Sequence, residues 1–300
     1  MSTFDGIVPA TDQADQADQA DQADQADQAD AAARQANAKR DSGVSPSGAL
    51  AVDALDIDTL VLAAFEAAGG DEDGVTVDVE LVVFDMAGTT VRDDGLVERA
   101  FVLAADRTGI TSNDEQREEA LDYVRETMGQ SKIEVFRALT GDEEAAVRGN
   151  EAFEVAYSEL VASVGVEAIP GAEEVMRELR EGGVKVALTT GFSRVTLDAL
   201  LDALGWHDVA DVTLSPADAG RGRPFPDLPL TALLRTGATS VSTMVVVGDT
   251  ASDMLSGVNA GAGLVVGVLS GAHDEDALEE AGADAVLTSV ADLPDLLGLR

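Results

Sequence analysis

The sequence predicts an α/β protein: a Rossmann-like parallel sheet core with an inserted helical cap domain, preceded by a disordered acidic tail. Three observations carry this. Short apolar, β-branched runs alternate with helix-period segments along the C-terminal two thirds, as in a parallel sheet covered on both faces. Residues 95–165 interrupt that alternation with helical pattern alone. Residues 12–29 repeat the triplet DQA six times, and a three-residue period suits neither helix nor strand. The expected domains are a disordered acidic tail over 1–48, a short helical extension over 49–78, a core over 79–94 and 166–300, and a cap over 95–165.

The elements follow in order. Residues 1–48 hold almost no large apolar side chains and cannot build a core. Over 50–68, Leu55, Leu60, Val61, Phe65 and Ala68 form one apolar stripe, which Gly69 and Gly70 end. Val79–Phe84 reads as a buried parallel strand with Asp85 at its carboxyl end. Helices are expected at 95–107, 114–127, 131–139 and 142–164. Thereafter helices at 171–181, 193–203, 226–236, 252–260 and 275–281 alternate with strands at 184–189, 210–214, 243–248, 263–268 and 284–287. Ligands of open α/β sheets bind at the carboxyl ends of strands, and Asp85, Thr189-Thr190 and Asp249 fall there.

Composition removes several function classes. The chain has 57 acidic and 19 basic residues, a formal charge of −38, which repels nucleic acid and anionic membranes. Residues 1–80 carry 18 acids against 3 bases and residues 81–300 carry 39 against 16, so the acidity is not confined to the tail. No apolar run spans a membrane, and no basic-then-apolar leader is present, so a cytoplasmic location is expected. Cysteine is absent, which removes thiol catalysis and disulfides. Only Lys39, Lys132 and Lys185 are lysines, a bias that resembles salt-in halophiles, where concentrated salt screens self-repulsion. Neither a P-loop lysine nor a GxGxxG order occurs.

Four motifs stand in sequence: Asp85-Met86-Ala87-Gly88-Thr89-Thr90, Leu188-Thr189-Thr190-Gly191, Arg223 in GRGRPFPD, and Val247-Gly248-Asp249-Thr250-Ala251-Ser252-Asp253. Together they resemble the haloacid dehalogenase superfamily over residues 81–290. The DxAGTT form, arginine in the third motif and the cap segment Met128-Gly129-Gln130-Ser131-Lys132 resemble its phosphonatase-like branch. Members of that branch hydrolyse phosphonoacetaldehyde, and their cap lysine forms a Schiff base with the aldehyde. The resemblance implies that Lys132 is that lysine and that Met128 lies beside it. Relatives often pair through their caps, which leaves a homodimer open. Two positions depart from the branch: Val135 stands where it has histidine, and Phe192 where it has tyrosine.

Physical chemistry gives each residue a candidate role. Asp85 is the nucleophile, since a carboxylate can attack phosphorus and form an acyl phosphate. Mg²⁺ would offset the charge repulsion, held by Asp85, the Ala87 carbonyl, Asp249 and Asp253. Gly88 and Thr89 shape a turn whose amides approach the phosphoryl group. Thr190 and the Gly191 amide donate to its oxygens, and Arg223 clamps it. Ala87 leaves no acid two residues after the nucleophile, so an ordinary ester leaving group lacks its proton donor. A carbon–phosphorus bond instead needs an electron sink, which an imine on Lys132 supplies. The histidines, His207 and His273, are read as structural or solvated. The sequence therefore points to Mg²⁺-dependent cleavage of a small phosphonate, phosphonoacetaldehyde or a close analogue. A phosphomonoesterase resembling phosphoglycolate phosphatases and a catalytically silent phosphoryl-ligand binder remain the alternatives.

Overall fold

The computed structural model describes residues 79–299. The expected tail over 1–48 and the extension over 49–78, with its helix at 50–68, lie outside them. Six parallel strands form one sheet: β1 (Leu81–Asp85), β2 (Lys185–Thr189), β3 (Val212–Leu214), β4 (Met244–Gly248), β5 (Leu264–Val268) and β6 (Ala285–Leu287), ordered β3-β2-β1-β4-β5-β6. β1 sits between β2 and β4, where the chain switches direction across the sheet. This is the crevice position that open α/β sheets offer to ligands.

All five residues of β1 are buried, because both faces are covered. Side chains alternate between two apolar layers. Val82, Phe84, Val186, Leu188, Val245 and Val247 face one, and Leu81, Val83, Ala187, Met244 and Val246 face the other. The first layer is closed by α5 (Ala172–Glu181) and α6 (Arg194–Leu204), the second chiefly by α8 (Asp227–Thr236). The register aligns Asp85 with Thr189 and Phe84 with Val247, so the polar residues that follow these strands emerge together.

Four helices fill the connection between β1 and β2: α1 (Leu96–Thr108), α2 (Asp114–Glu126), α3 (Lys132–Thr140) and α4 (Glu143–Val164). Asn113 and Asp142 cap α2 and α4 by accepting from Gln116 N and Ala145 N. Gly109 and Gly141, in the left-handed region, stop α1 and α3. An aromatic column ties this block to the core. Phe101 stacks on Phe136 at 5.5 Å, Phe153 follows, and Tyr157 of α4 reaches Phe192 of the β2–α6 loop at 4.7 Å.

Long elements match the expected ones closely. β1 runs through Asp85 rather than ending at Phe84. The third strand is only Val212–Leu214. The unforeseen elements are short: α7 (Pro216–Ala219), two single 3₁₀ turns and α11 (Leu293–Leu296). The remaining helices are α9 (Ala251–Ala260) and α10 (Glu275–Glu280). Among the described residues no helix is long and apolar enough to cross a membrane.

Candidate active site

The carboxyl ends of β1, β2 and β4 converge on a cavity of about 670 Å³. Asp85 ends β1 and is 5% exposed. Asp249 follows β4, and Asp253 lies on the first turn of α9. One carboxylate oxygen from each of the three lies within 4.8 Å of the others. Such a buried acidic cluster can hold a divalent metal ion.

Every member of the cluster is fixed. Thr89 Oγ1 donates to Asp249 Oδ1 at 2.8 Å, and Ala272 N donates to its Oδ2 at 2.9 Å. Thr250 N and its hydroxyl donate to Asp253 Oδ2 in a capping box. Arg223, itself buried, enters from the loop after α7. Its Nη1 lies 2.6 Å from Asp85 Oδ1, its Nε 2.7 Å from Asp253 Oδ1, and its Nη2 donates to Thr189 Oγ1 at 2.5 Å. The Thr189 hydroxyl donates onward to Phe84 O at 3.1 Å.

The electrostatics show an excess of negative charge. Burial holds the Asp85 carboxyl well above the ordinary carboxylate range, against the pull of Arg223. Burial and the neighbouring Asp253 push Asp249 up to about 7. One guanidinium does not balance three buried carboxylates, and a bound cation would restore the balance.

The Gly88 and Thr89 amides donate inside their own turn, Gly88 N to Val91 O at 2.8 Å and Thr89 N to Met86 O at 3.2 Å. The turn also seats Asp249. A Cβ on Gly88, whose φ is +94°, would lie 2.3 Å from Asp249 Oδ2. Ala87 lines the cavity. Thr190 and Gly191 line it too. Thr190 N is taken by Leu214 O, while Thr190 Oγ1 accepts from Phe192 N and keeps its own proton to donate.

The opposite wall comes from the helical block. The turn Thr127–Gln130 descends onto the core, with Gly129 O 3.5 Å from Arg223 Nη1 and Lys132 N donating to Gly191 O at 3.3 Å. Only glycine fits at 191, where a Cβ would meet Gln130 O at 2.5 Å. This contact places Met128 and Lys132 in the cavity with Asp85. Lys132, first residue of α3, is 7% exposed, and its Nζ lies 5.8 Å from the Phe192 ring centroid. Burial lowers the Lys132 ammonium to about 8, against the opposing pull of Asp93 and Asp85. Its place at a helix N-terminus works in the same direction. Val135 is buried one turn further along α3, and Arg92, Asp93, Asp94, Glu98 and Arg125 also line the cavity.

Four residues enter the picture from the structure alone. Thr189 steadies Arg223. Asp93 lines the cavity beside Lys132. Tyr157 buries a hydroxyl that has no hydrogen-bond partner among the described residues. His273 lines the cavity rather than lying free: its Nδ1 accepts from Ala251 N at 2.9 Å, and its Nε2 lies 3.5 Å from Arg125 O. His207 is exposed and pairs with Asp202. Lys185 pairs with Asp211, away from the cavity.

A family model of haloacid dehalogenase-like hydrolases matches residues 79–261. A phosphonoacetaldehyde hydrolase from Bacillus cereus (strain B4264) is 32% identical over 221 residues, covering 67% of this chain and 80% of the relative. Among solved structures, a hydrolase from Pseudomonas syringae superposes with a TM-score of 0.65 at 28% identity, covering 73% of this chain and 98% of that one. A phosphonoacetaldehyde hydrolase-like protein from Oleispira antarctica gives 0.63 at 27% identity, covering 76% and 95%. The chain belongs to the haloacid dehalogenase superfamily and is a hydrolase of its phosphonatase-like kind.

Proposed function

We propose that this chain cleaves the carbon–phosphorus bond of a small phosphonate bearing an aldehyde, phosphonoacetaldehyde or a close analogue. The observation that carries this reading is Lys132: a buried amine, in a protein with three lysines, sharing one cavity with the Asp85 carboxylate.

Phosphonate cleavage expels a carbanion, and no acid stands at Ala87 to assist a leaving group. The Lys132 amine condenses with the aldehyde, losing water and forming an iminium. Asp85 then attacks phosphorus, and the carbon–phosphorus bonding pair moves into the iminium to give an enamine. Water hydrolyses the aspartyl phosphate to phosphate. Protonation and hydrolysis of the enamine release the aldehyde and free Lys132. The net reaction consumes one water. Arg223, held by Asp85, Asp253 and Thr189, lies where it can take the phosphoryl oxygens, with Thr190 donating beside it and the Gly191 loop bordering them. Gly88 and Thr89 serve through Asp249, and Met128 packs the aldehyde side.

Mg²⁺ fits the cluster of Asp85, Asp249 and Asp253 with the Ala87 carbonyl, because the site is short of positive charge and offers oxygen donors only. When bound, it supplies charge neutralisation between the nucleophile and the phosphoryl group. The cap, residues 95–165, brings Lys132 to the core, and the protein acts on a small molecule in the cytoplasm.

Incubation with phosphonoacetaldehyde and borohydride in high salt, followed by peptide mass spectrometry, tests this. A reduced adduct on Lys132 is expected. No adduct, with phosphate still released from phosphoglycolate, would put the phosphomonoesterase reading in its place.

A further inference from the structure

Imine formation needs more than an amine. A proton must leave the ammonium, and another must reach the departing hydroxyl of the carbinolamine. Val135 and Phe192, both buried, cannot move protons. Asp85, Asp249 and Asp253 are committed to the opposite wall by Arg223, Thr89 and Thr250.

Three carboxyls line the cavity on the lysine side: Glu98 is held by Arg125 and Asp94 is exposed, which leaves Asp93. Asp93 lines the cavity, half-buried, in the turn that enters α1. Its Oδ1 accepts from Val97 N at 3.2 Å, which fixes the side chain. The turn is unusual. Asp94 has a φ of 45°, the sole positive φ at a non-glycine residue among the described ones, and Gly95 follows at 73°. A left-handed conformation at Asp94 carries strain that a glycine would not, and such strain gathers at functional sites. Asp93, beside it, lines the cavity. Asp93 shares the cavity with Lys132 of α3 and with Asp85, and its charge acts on Lys132 and on the Tyr157 phenol of α4, with Asp94 adding like charge from its own turn. The Tyr157 hydroxyl is buried without a partner among the described residues, and Asp93 and Asp85 are its charged neighbours.

From this geometry we infer that Asp93 is the acid–base group of the imine step, an inference that rests on the Lys132 reading. Asp93 takes one proton from the Lys132 ammonium. The freed Nζ attacks the carbonyl carbon, and a second proton passes from nitrogen to oxygen to give the neutral carbinolamine. Asp93 then returns its proton to the hydroxyl, which leaves as water while the nitrogen lone pair closes the carbon–nitrogen double bond. Ammonium plus aldehyde becomes iminium plus water, and Asp93 ends as it began. Burial supports the role by holding the Asp93 carboxyl above its ordinary value, against the Val97 amide and Lys132.

Asp93→Asn isolates this role. Asparagine keeps a side-chain oxygen that can accept from Val97 N, so this contact survives and the fold is kept. The readout is the rate at which phosphonoacetaldehyde and cyanoborohydride label Lys132 in the full chain at pH 7, with the melting temperature as control. A purely electrostatic Asp93 favours the ammonium, so its loss would leave more free amine and label faster. An acid–base Asp93 gives labelling slower by about 10²-fold, with an unchanged melting temperature and partial restoration by added formate. Labelling that is unchanged or faster overturns the inference, as does slow labelling that formate leaves unmoved. If the unaltered chain gives no Lys132 adduct, the Lys132 reading falls and this inference with it. If that chain is labelled and Asp93→Asn is labelled equally fast, only the role of Asp93 falls.

Discussion

The two walls of the cavity are built on opposite terms. The core wall, at the ends of β1, β2 and β4, is dense with charge. Asp85, Asp249, Asp253 and Arg223 are buried and hold one another through ion pairs of 2.6 and 2.7 Å and hydroxyl donors on either side. The helical wall buries one charged group, Lys132, beside Met128 and the Phe192 ring of the β2–α6 loop, while Arg92, Asp93, Asp94, Glu98 and Arg125 line the cavity at greater exposure. Charged groups in a fixed polar frame suit phosphoryl transfer, whatever the leaving group. An amine in an apolar pocket suits covalent chemistry with a carbonyl. In the proposed reaction the core wall sets the class of reaction, and the helical wall selects the bond.

If the walls are separable in this way, damage to one leaves the chemistry of the other. The largest effect is expected from Asp85→Asn. Phosphate release should fall by about 10⁴-fold or more on any substrate, while borohydride trapping on Lys132 persists. Loss of trapping as well would show that the walls act as one unit.

Lys132→Met should abolish the adduct and lower phosphonate cleavage by about 10³-fold, with folding intact. It should also stabilise the protein. The folded-state value of about 8 lies below the ordinary lysine value of 10.5, so the folded protein disfavours the ammonium. The lysine therefore costs stability below pH 8, and the cost fades as pH rises toward its unfolded value. Removing it should add about 1–3 kcal/mol at pH 7, read by denaturant unfolding at pH 7 and again at pH 10.

Gly191→Ala probes the joint between the walls. Its methyl group would press on Gln130 O, lift the turn that carries Lys132, and lower kcat/KM by about 10- to 100-fold. Retention of Mg²⁺-dependent stabilisation in a melting assay would show the core wall intact. The smallest effect is a titration. Trapping on Lys132 should increase as pH rises through about 8, as the amine loses its proton. A midpoint near the ordinary lysine value would mean that the pocket is wetter than its burial implies.

The core wall was largely legible in the sequence, because its chemistry sits in short motifs at strand ends. Asp85, Asp249 and Asp253 declare themselves by following buried apolar runs, and Arg223 by its motif. Lys132 stood out through the scarcity of lysine and the segment around it. The rest depends on packing between distant segments. Asp93 lies in an Asp-Asp-Gly run that reads as a plain turn. Tyr157 falls on the apolar stripe of a long helix, where the aromatic ring explains itself without its hydroxyl. His273 reaches the cavity only because the loop after β5 folds back onto the start of α9. The contact of Thr89 with Asp249 was not legible, since the sequence cannot show that a residue 160 positions away receives its hydroxyl. The short α7 and α11 have too few residues to show a period.

Product analysis decides whether Lys132 turns a phosphoryl-transfer frame into a carbon–phosphorus hydrolase. Wild type and Lys132→Met, each with Mg²⁺, are given phosphonoacetaldehyde, and phosphate and acetaldehyde are measured together. The wild type is expected to release the two in equal amounts, and Lys132→Met to release both about 10³-fold more slowly. Equal turnover by both proteins, or phosphate from ordinary phosphate esters alone, would contradict the claim.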